Sequence, residues 1–263
     1  MTSVGWVMAD GWTLTRRALL HWARRPAQVV VGLLFPVLMV VMFGYLLGGG
    51  IQVPGGGGYR EFLLPGMFAM SMVFGIEGTF SAVASDVAKG VTDRFRTLPM
   101  TPGAVVVGRA AADLLNSALG LLVMMGCGLL VGWRWHEGFG GVVAAVALLL
   151  WLRFAFLWLG VYLGVRLARP EAVVALQILV WPVGFLSNAF TSPSDMPGWL
   201  AFLAEANPLS ATVTATRELF GNPGVVSGSR TAEHGLLLAV LWPLAITAVF
   251  LPLSVRRYQR LGD

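Results

Sequence analysis

Few residues in this chain can do chemistry, and those that can sit in apolar surroundings. Glu77 stands within the run Phe62–Ala84 and Arg153 within Phe139–Val165. An ionised side chain at such depth is costly and usually functional. At ~1.5 Å per residue their depths differ by roughly 8 Å, a gap that an arginine side chain nearly covers. Arg109, Asp113 and Asn116 follow at i, i+4 and i+7, which puts them on one helix face and offers Glu77 a nearer partner. Two chemistries fit this set: an ion pair that orients helices, or a polar contact for a passing molecule. Proton carriage by Glu77 is a third, although no acid–amide relay recurs along the runs. His21, His136 and His234 have no carboxylate or cysteine at ligand spacing, so no metal site is expected. The only lysine, Lys89, is followed by Gly90 and Val91. No phosphate loop of the form G-x-x-x-x-G-K with Ser or Thr next can therefore be written, and no ATP site is expected on this chain.

The elements that would position these residues are apolar. The chain of 263 residues is 57% hydrophobic and 12% charged, with a mean hydropathy of +0.76. Soluble domains carry about 25% charged residues, so an all-α integral membrane protein is expected. The single Cys127 excludes an intrachain disulfide. A pI of about 10.1 invites a nucleic-acid partner, but the basic residues punctuate the ends of apolar runs instead of forming a patch, which excludes one. Six segments are long enough to span: about Ala27–Leu47, Phe62–Ala84, Val105–Val131, Phe139–Val165, Ala172–Phe190 and Gly235–Val255. Six spans put both termini on one side. Arg16, Arg17, Arg24, Arg25, Lys89, Arg94, Arg96, Arg109, Arg166, Arg169, Arg256, Arg257 and Arg260 share that side, against Arg60, Arg134, Arg217 and Arg230 on the other. The excess of basic residues marks the termini as cytoplasmic.

Domain organisation follows: residues 1–26 precede the spans, 27–255 form the membrane domain and 256–263 a cytoplasmic tail. Before the first span, Met8, Trp12, Leu19 and Trp22 share one helical face and Asp10, Thr13, Arg17, His21 and Arg24 the other. That pattern is an amphipathic helix in the inner interface. A signal peptide is the competing reading, but only glycines follow Leu47 where a cleavage site would stand. Gly48–Arg60 reads as a flexible outer linker. Between the second and third spans, Gly90, Pro99 and Pro102 delimit a short helix at about 91–98. Val91, Phe95 and Leu98 make an apolar ridge at i, i+4 and i+7, with Arg94 and Arg96 beside it. Such a ridge fits a partner's groove; an interfacial loop with Phe95 among lipid headgroups fits equally.

The stretch Ala189–Pro223 is neither a plain loop nor a span. Asn207 reads as N-cap, Pro208 as the first helical residue and Gly221 as the terminator of a helix over Leu209–Phe220. About 18 Å long, that helix is too short to cross a ~30 Å hydrocarbon core. Together with Trp199 it reads as a half-membrane or interfacial hairpin over about 195–221, a cap able to open and close a path. Arg217, near its C-terminus, suits the helix dipole and has the length to reach outer headgroups. Trp133 and Trp135 fall where an outer aromatic belt would lie. Trp181 could wall an apolar path or simply pack. G-x-x-x-G at Gly44–Gly48, Gly128–Gly132 and Gly160–Gly164 is compatible with close helix packing.

Three blocks, EFLLPGMFAMSMVFG (Glu61–Gly75), RTLPMTPGAVVVGR (Arg96–Arg109) and SNAF with MPGWL and NPLSATVTATREL (Ser187–Leu219), occur in an order that resembles ABC-2 type exporter permeases, in particular the actinobacterial daunorubicin/doxorubicin-resistance group. Pro197, Trp199, Asn207, Pro208 and Arg217 match the pattern individually. Ala88-Lys89-Gly90 departs from it, since many relatives carry an acidic residue beside the basic one. The resemblance implies a half-transporter of the plasma membrane with a coupling helix between spans two and three and re-entrant helices between five and six. It implies two copies of an ABC ATPase subunit, which bind ATP and magnesium, and a second permease half, favouring a homodimer, in contact with membrane lipid. The expected cargo is a hydrophobic or amphipathic small molecule moved outward. An ion- or proton-coupled secondary transporter and a non-transporting membrane scaffold remain as alternatives.

Overall fold

The computed structural model describes residues 34, 37–45, 53, 56–89, 102–193, 196–224 and 233–259, and among them every regular element is a helix. Residues 37–45 belong to the first helix among the described residues, α1. Then come α2 (Tyr59–Ala88), α3 (Pro102–Val131), α4 (Phe139–Arg166), α5 (Pro170–Phe185), α6 (Gly198–Ala206), α7 (Pro208–Phe220) and α8 (Gly235–Gln259). Four of these, α2, α3, α4 and α8, are long and apolar enough to cross a membrane.

The fifth expected span ends early. α5 has 16 residues and stops at Phe185, not Phe190, which at ~1.5 Å per residue gives roughly 24 Å. The Leu186 N–H bonds back to Pro182 O at 2.7 Å, and Ser187 Oγ–H donates to Gly184 O at 2.6 Å. Asn207 Nδ2 donates to the carbonyls of Val183 and Leu186, each at 2.7 Å. These donors satisfy carbonyls that a helix end otherwise leaves orphaned, so the chain can turn here in apolar surroundings.

α2 and α4 form the centre. Gly160 and Gly164 on α4 face α2 so closely that an added Cβ would lie 3.1 Å from Ile76 Cγ1 and 2.8 Å from Val83 Cβ. This G-x-x-x-G pair therefore sets a helix crossing, as small residues do where no solvent drives association. α4 also packs on α3, α7 and α8. A core of Leu64, Phe68, Leu121, Trp133, Leu149 and Phe220 fills the space between α2, α3, α4 and α7. α3, α5 and α8 instead turn large apolar side chains outward, including Leu119, Leu122, Ile178, Leu179, Leu237 and Leu241. A surface of that extent is made to be covered by lipid or protein.

Candidate functional site

Two polar systems lie inside this apolar bundle. The first is built around α7, whose sequence PLSATVTATRELF is rich in small and hydroxyl residues yet buried from Leu209 to Arg217. Two of its three threonines bond to their own helix: Thr212 Oγ1–H donates to Pro208 O at 3.3 Å and Thr216 Oγ1–H to Thr212 O at 2.8 Å. Hydroxyls spent in this way need no outside partner, and their small size admits close packing against α2, α4 and α8. At the start of α7, Asn207 Oδ1 accepts from Leu209 N–H at 2.9 Å, and Pro208 occupies the first turn. At its end Gly221 is left-handed (φ 68°), with Gly221 N–H on Glu218 O at 3.0 Å and Asn222 N–H on Arg217 O at 2.8 Å. This is the Schellman arrangement, which only a residue tolerant of positive φ closes cheaply.

Arg217 does not reach towards headgroups. It is 1% exposed and turns into the bundle. Its Nε–H donates to Phe62 O at 2.9 Å and its Nη2–H to Ala189 O at 3.1 Å, while the guanidinium lies 3.7 Å over the Phe62 ring. No salt bridge among the described residues includes it; backbone carbonyls and a ring face take the place of a carboxylate. The turn carrying Ala189 comes this close because Gly66 has no side chain: a Cβ there would lie 2.7 Å from Ala189 O. Asn188 completes the contact, its Nδ2 donating to Thr214 Oγ1 at 2.7 Å and its N–H to Ser210 Oγ at 3.1 Å.

The α3–α4 loop is stitched to the same end. Trp133 is not in a surface belt: it is 0% exposed, edge-on to Phe68 and Phe220, and its Nε1–H donates to Asn222 Oδ1 at 2.8 Å. Its polar edge finds a partner inside, so the whole indole can be buried. Trp135 keeps an exposed position. His136 Nε2 lies 2.9 Å from Glu61 Oε1, and His136 N–H donates to Phe220 O at 2.8 Å. Trp199 on α6 is 69% exposed, and Pro197 precedes that helix with its carbonyl accepting from Leu200 and Ala201. The hairpin thus has one outward apolar half, α6, and one inward polar half, α7.

The second system lies midway along the long helices. Arg153 on α4 is 3% exposed. Its Nη2–H donates to Thr79 Oγ1 at 2.7 Å and its Nε–H to Ser117 Oγ at 2.8 Å. Thr79 Oγ1–H donates to Asp113 Oδ2 at 2.9 Å, and Ser117 Oγ–H to Asp113 O at 2.9 Å. Arg153 Nη2 and Asp113 Oδ2 are 3.9 Å apart. Glu77 stands apart from this group, with Gln177 on α5 as its polar neighbour.

The Arg109–Asp113–Asn116 stripe divides. Arg109 pairs with Asp86 at the end of α2, Asp113 serves Arg153, and Asn116 is exposed. Spacing found these residues but not their partners, because a helical stripe says nothing about which neighbours face it. Thr79, Ser117, Asn188 and Asn222 carried no signal beyond being polar beside or within apolar runs. Val91, Arg94, Phe95, Arg96 and Leu98, with the helix expected at 91–98, lie outside the described residues, as does the segment 1–26.

A family model described as ABC-2 type transporter matches residues 10–220. Among relatives, the daunorubicin resistance ABC transporter permease protein DrrB1 of Streptomyces coeruleorubidus is 36% identical over 251 residues, 94% of this chain and 86% of that one. The probable doxorubicin resistance ABC transporter permease protein DrrC of Mycobacterium tuberculosis is 24% identical over 248 residues, 88% of this chain and 85% of that one.

Proposed function

The chain belongs to the ABC-2 type transporter family, and on that premise we propose that it is the permease half of an ATP-driven exporter of hydrophobic or amphipathic small molecules. It has six spans, α1 and α5 being the first and fifth, and lies in the plasma membrane with both termini cytoplasmic. Two copies pair, most simply as a homodimer, and two ABC ATPase subunits bind ATP and magnesium. The helix at 91–98 docks on the ATPase through Val91, Phe95 and Leu98, flanked by Arg94 and Arg96. Closure of the ATPases moves the spans, and the outer helices α6 and α7, with Pro197, Trp199, Asn207, Pro208 and Arg217, release the cargo outward.

The observation that carries this reading is α7: a helix too short to span, polar in sequence, and buried at the end of the bundle opposite Lys89, Arg166 and Arg257. A plug of that kind closes a path. The space around it within one chain is filled by Phe68, Trp133 and Phe220, which favours a passage between two copies.

Daunorubicin efflux is the test, in cells expressing the chain together with its partner ABC ATPase. Efflux should stop on ATP depletion and survive an uncoupler. The reverse pattern would make the protein a secondary transporter with Glu77 as its carrier. No efflux of daunorubicin or of other apolar and amphipathic compounds, together with no stimulation of ATP hydrolysis by any of them, would leave a membrane scaffold.

A further inference from the structure

α2 and α3 are the two helices that enter and leave the segment 90–101, so any displacement of that segment reaches the bundle through them. The Arg153 network is where both meet α4. Thr79 lies on α2, Asp113 and Ser117 on α3, and the guanidinium of Arg153 joins all three. Both hydrogen-bond chains run in one sense. Each hydroxyl accepts from Arg153; Thr79 then donates to the Asp113 carboxylate and Ser117 to the Asp113 backbone carbonyl, so each bond polarises the next. The fit is close on the α2 side: a Cβ at Gly75 would lie 2.8 Å from Arg153 Cζ and Nε. Nη1 is buried and has no hydrogen-bond partner among the described residues, which leaves its two N–H donors for a second arrangement. Farther along α4, about 18 Å from Arg153 at ~1.5 Å per residue, Gly141 touches α7. An added Cβ there would collide with the carbonyl of Leu219.

We propose that Arg153 is a positioning residue that clamps α2, α3 and α4 into one body, which carries the displacement of the 90–101 segment to α7. The clamp rests on the exporter reading for what moves it, and on its own geometry for what it joins. A buried ion pair gives little net stability over apolar residues of similar size, whereas one partner alone is strongly unfavourable. Arg153→Met with Asp113→Asn therefore removes the clamp and leaves no orphaned charge.

That double variant should accumulate at the wild-type level. With the partner ATPase it should hydrolyse ATP within about twofold of wild type while daunorubicin efflux falls about tenfold, a coupling loss of the size that residues between two sites produce. Efflux at the wild-type rate would overturn the proposal. So would a fall in efflux matched by an equal fall in protein level, because the network would then only hold the fold. Gly75→Ala supplies a readout that needs no transport. It should lower the thermal unfolding temperature of the purified chain when Arg153 is present, and not in the double variant; equal losses in both backgrounds would overturn the placement of the guanidinium. A wild-type complex that exports nothing, with this non-additivity intact, would sink the exporter reading and the transmission role while leaving the joint itself standing.

Discussion

Asn207 shows how much one side chain can hold. Its oxygen caps α7 while its amide nitrogen closes the end of α5 on Val183 and Leu186. Sequence spacing identifies the cap alone, which is worth about 1 kcal/mol. Orphaning buried carbonyls adds about 1–3 kcal/mol, so Asn207→Ala should cost more than a cap. Asn207→Asp separates the two roles. Aspartate caps as well as asparagine, but here its second oxygen would face two carbonyl oxygens. Its thermal stability in nanodiscs should be no better than that of Asn207→Ala, and a wild-type value would show that the α5 contacts carry nothing. Arg217 makes a similar case. A lysine keeps the charge but cannot fork to Phe62 O and Ala189 O while stacking on the Phe62 ring. Arg217→Lys should therefore impair efflux at matched protein level, and unimpaired efflux would reduce Arg217 to a bare charge.

Among the elements, α7 is exceptional because its burial runs against its composition. Its threonines and serine are tolerated because their hydroxyls bond backward along the helix or to Asn188, and its ends are closed by Asn207 and Gly221. Gly221→Ala places a Cβ at φ 68° and 3.1 Å from Glu137 Cγ, a strain of about 1–2 kcal/mol. It should loosen the end of α7 and raise proteolytic nicking near Pro223; unchanged resistance would mean that the turn relaxes freely. The helix expected at 91–98 answers to a different test. Phe95→Ala removes the largest side chain of its ridge, and loss of such an anchor costs about 2 kcal/mol or more at an interface. Co-purification of the ATPase and drug-stimulated hydrolysis should both fall while membrane insertion is kept. Full retention of both would remove the docking role.

At the scale of the molecule, the basic residues divide between two ends of the bundle. Arg60 and Arg134 sit with the Gly58 and Gly132 turns, while Lys89, Arg166, Arg256 and Arg257 sit at the opposite helix ends. Under the proposed topology, the thirteen-to-four bias of the whole chain would place both termini in the cytoplasm. In a chain lacking Cys127, Gly58→Cys, where an added Cβ meets nothing within 4 Å, should react with an impermeant maleimide in intact cells. Thr92→Cys should react only after lysis. Labelling of Thr92→Cys in intact cells would invert the topology and remove the 91–98 segment from the ATPase side.

Composition and run length by themselves determine that this is a helical membrane chain and where α2, α3, α4 and α8 lie, because burying backbone in lipid leaves few alternatives to a helix. The bounds of α7 were also legible, since N-cap, Pro and terminal Gly act locally within one turn. What only the tertiary structure decided was direction and partnership. Arg217 and Trp133 look like surface residues at span ends, yet both point inward, because carbonyls at Phe62 and Ala189 and the amide of Asn222 come from segments distant in sequence. Arg153 could be read with Glu77 by depth, yet Gly75 and the α2–α4 crossing bring it to Thr79, Ser117 and Asp113. Helical periodicity gives each residue a face, and only the packing of one helix on another says what that face meets.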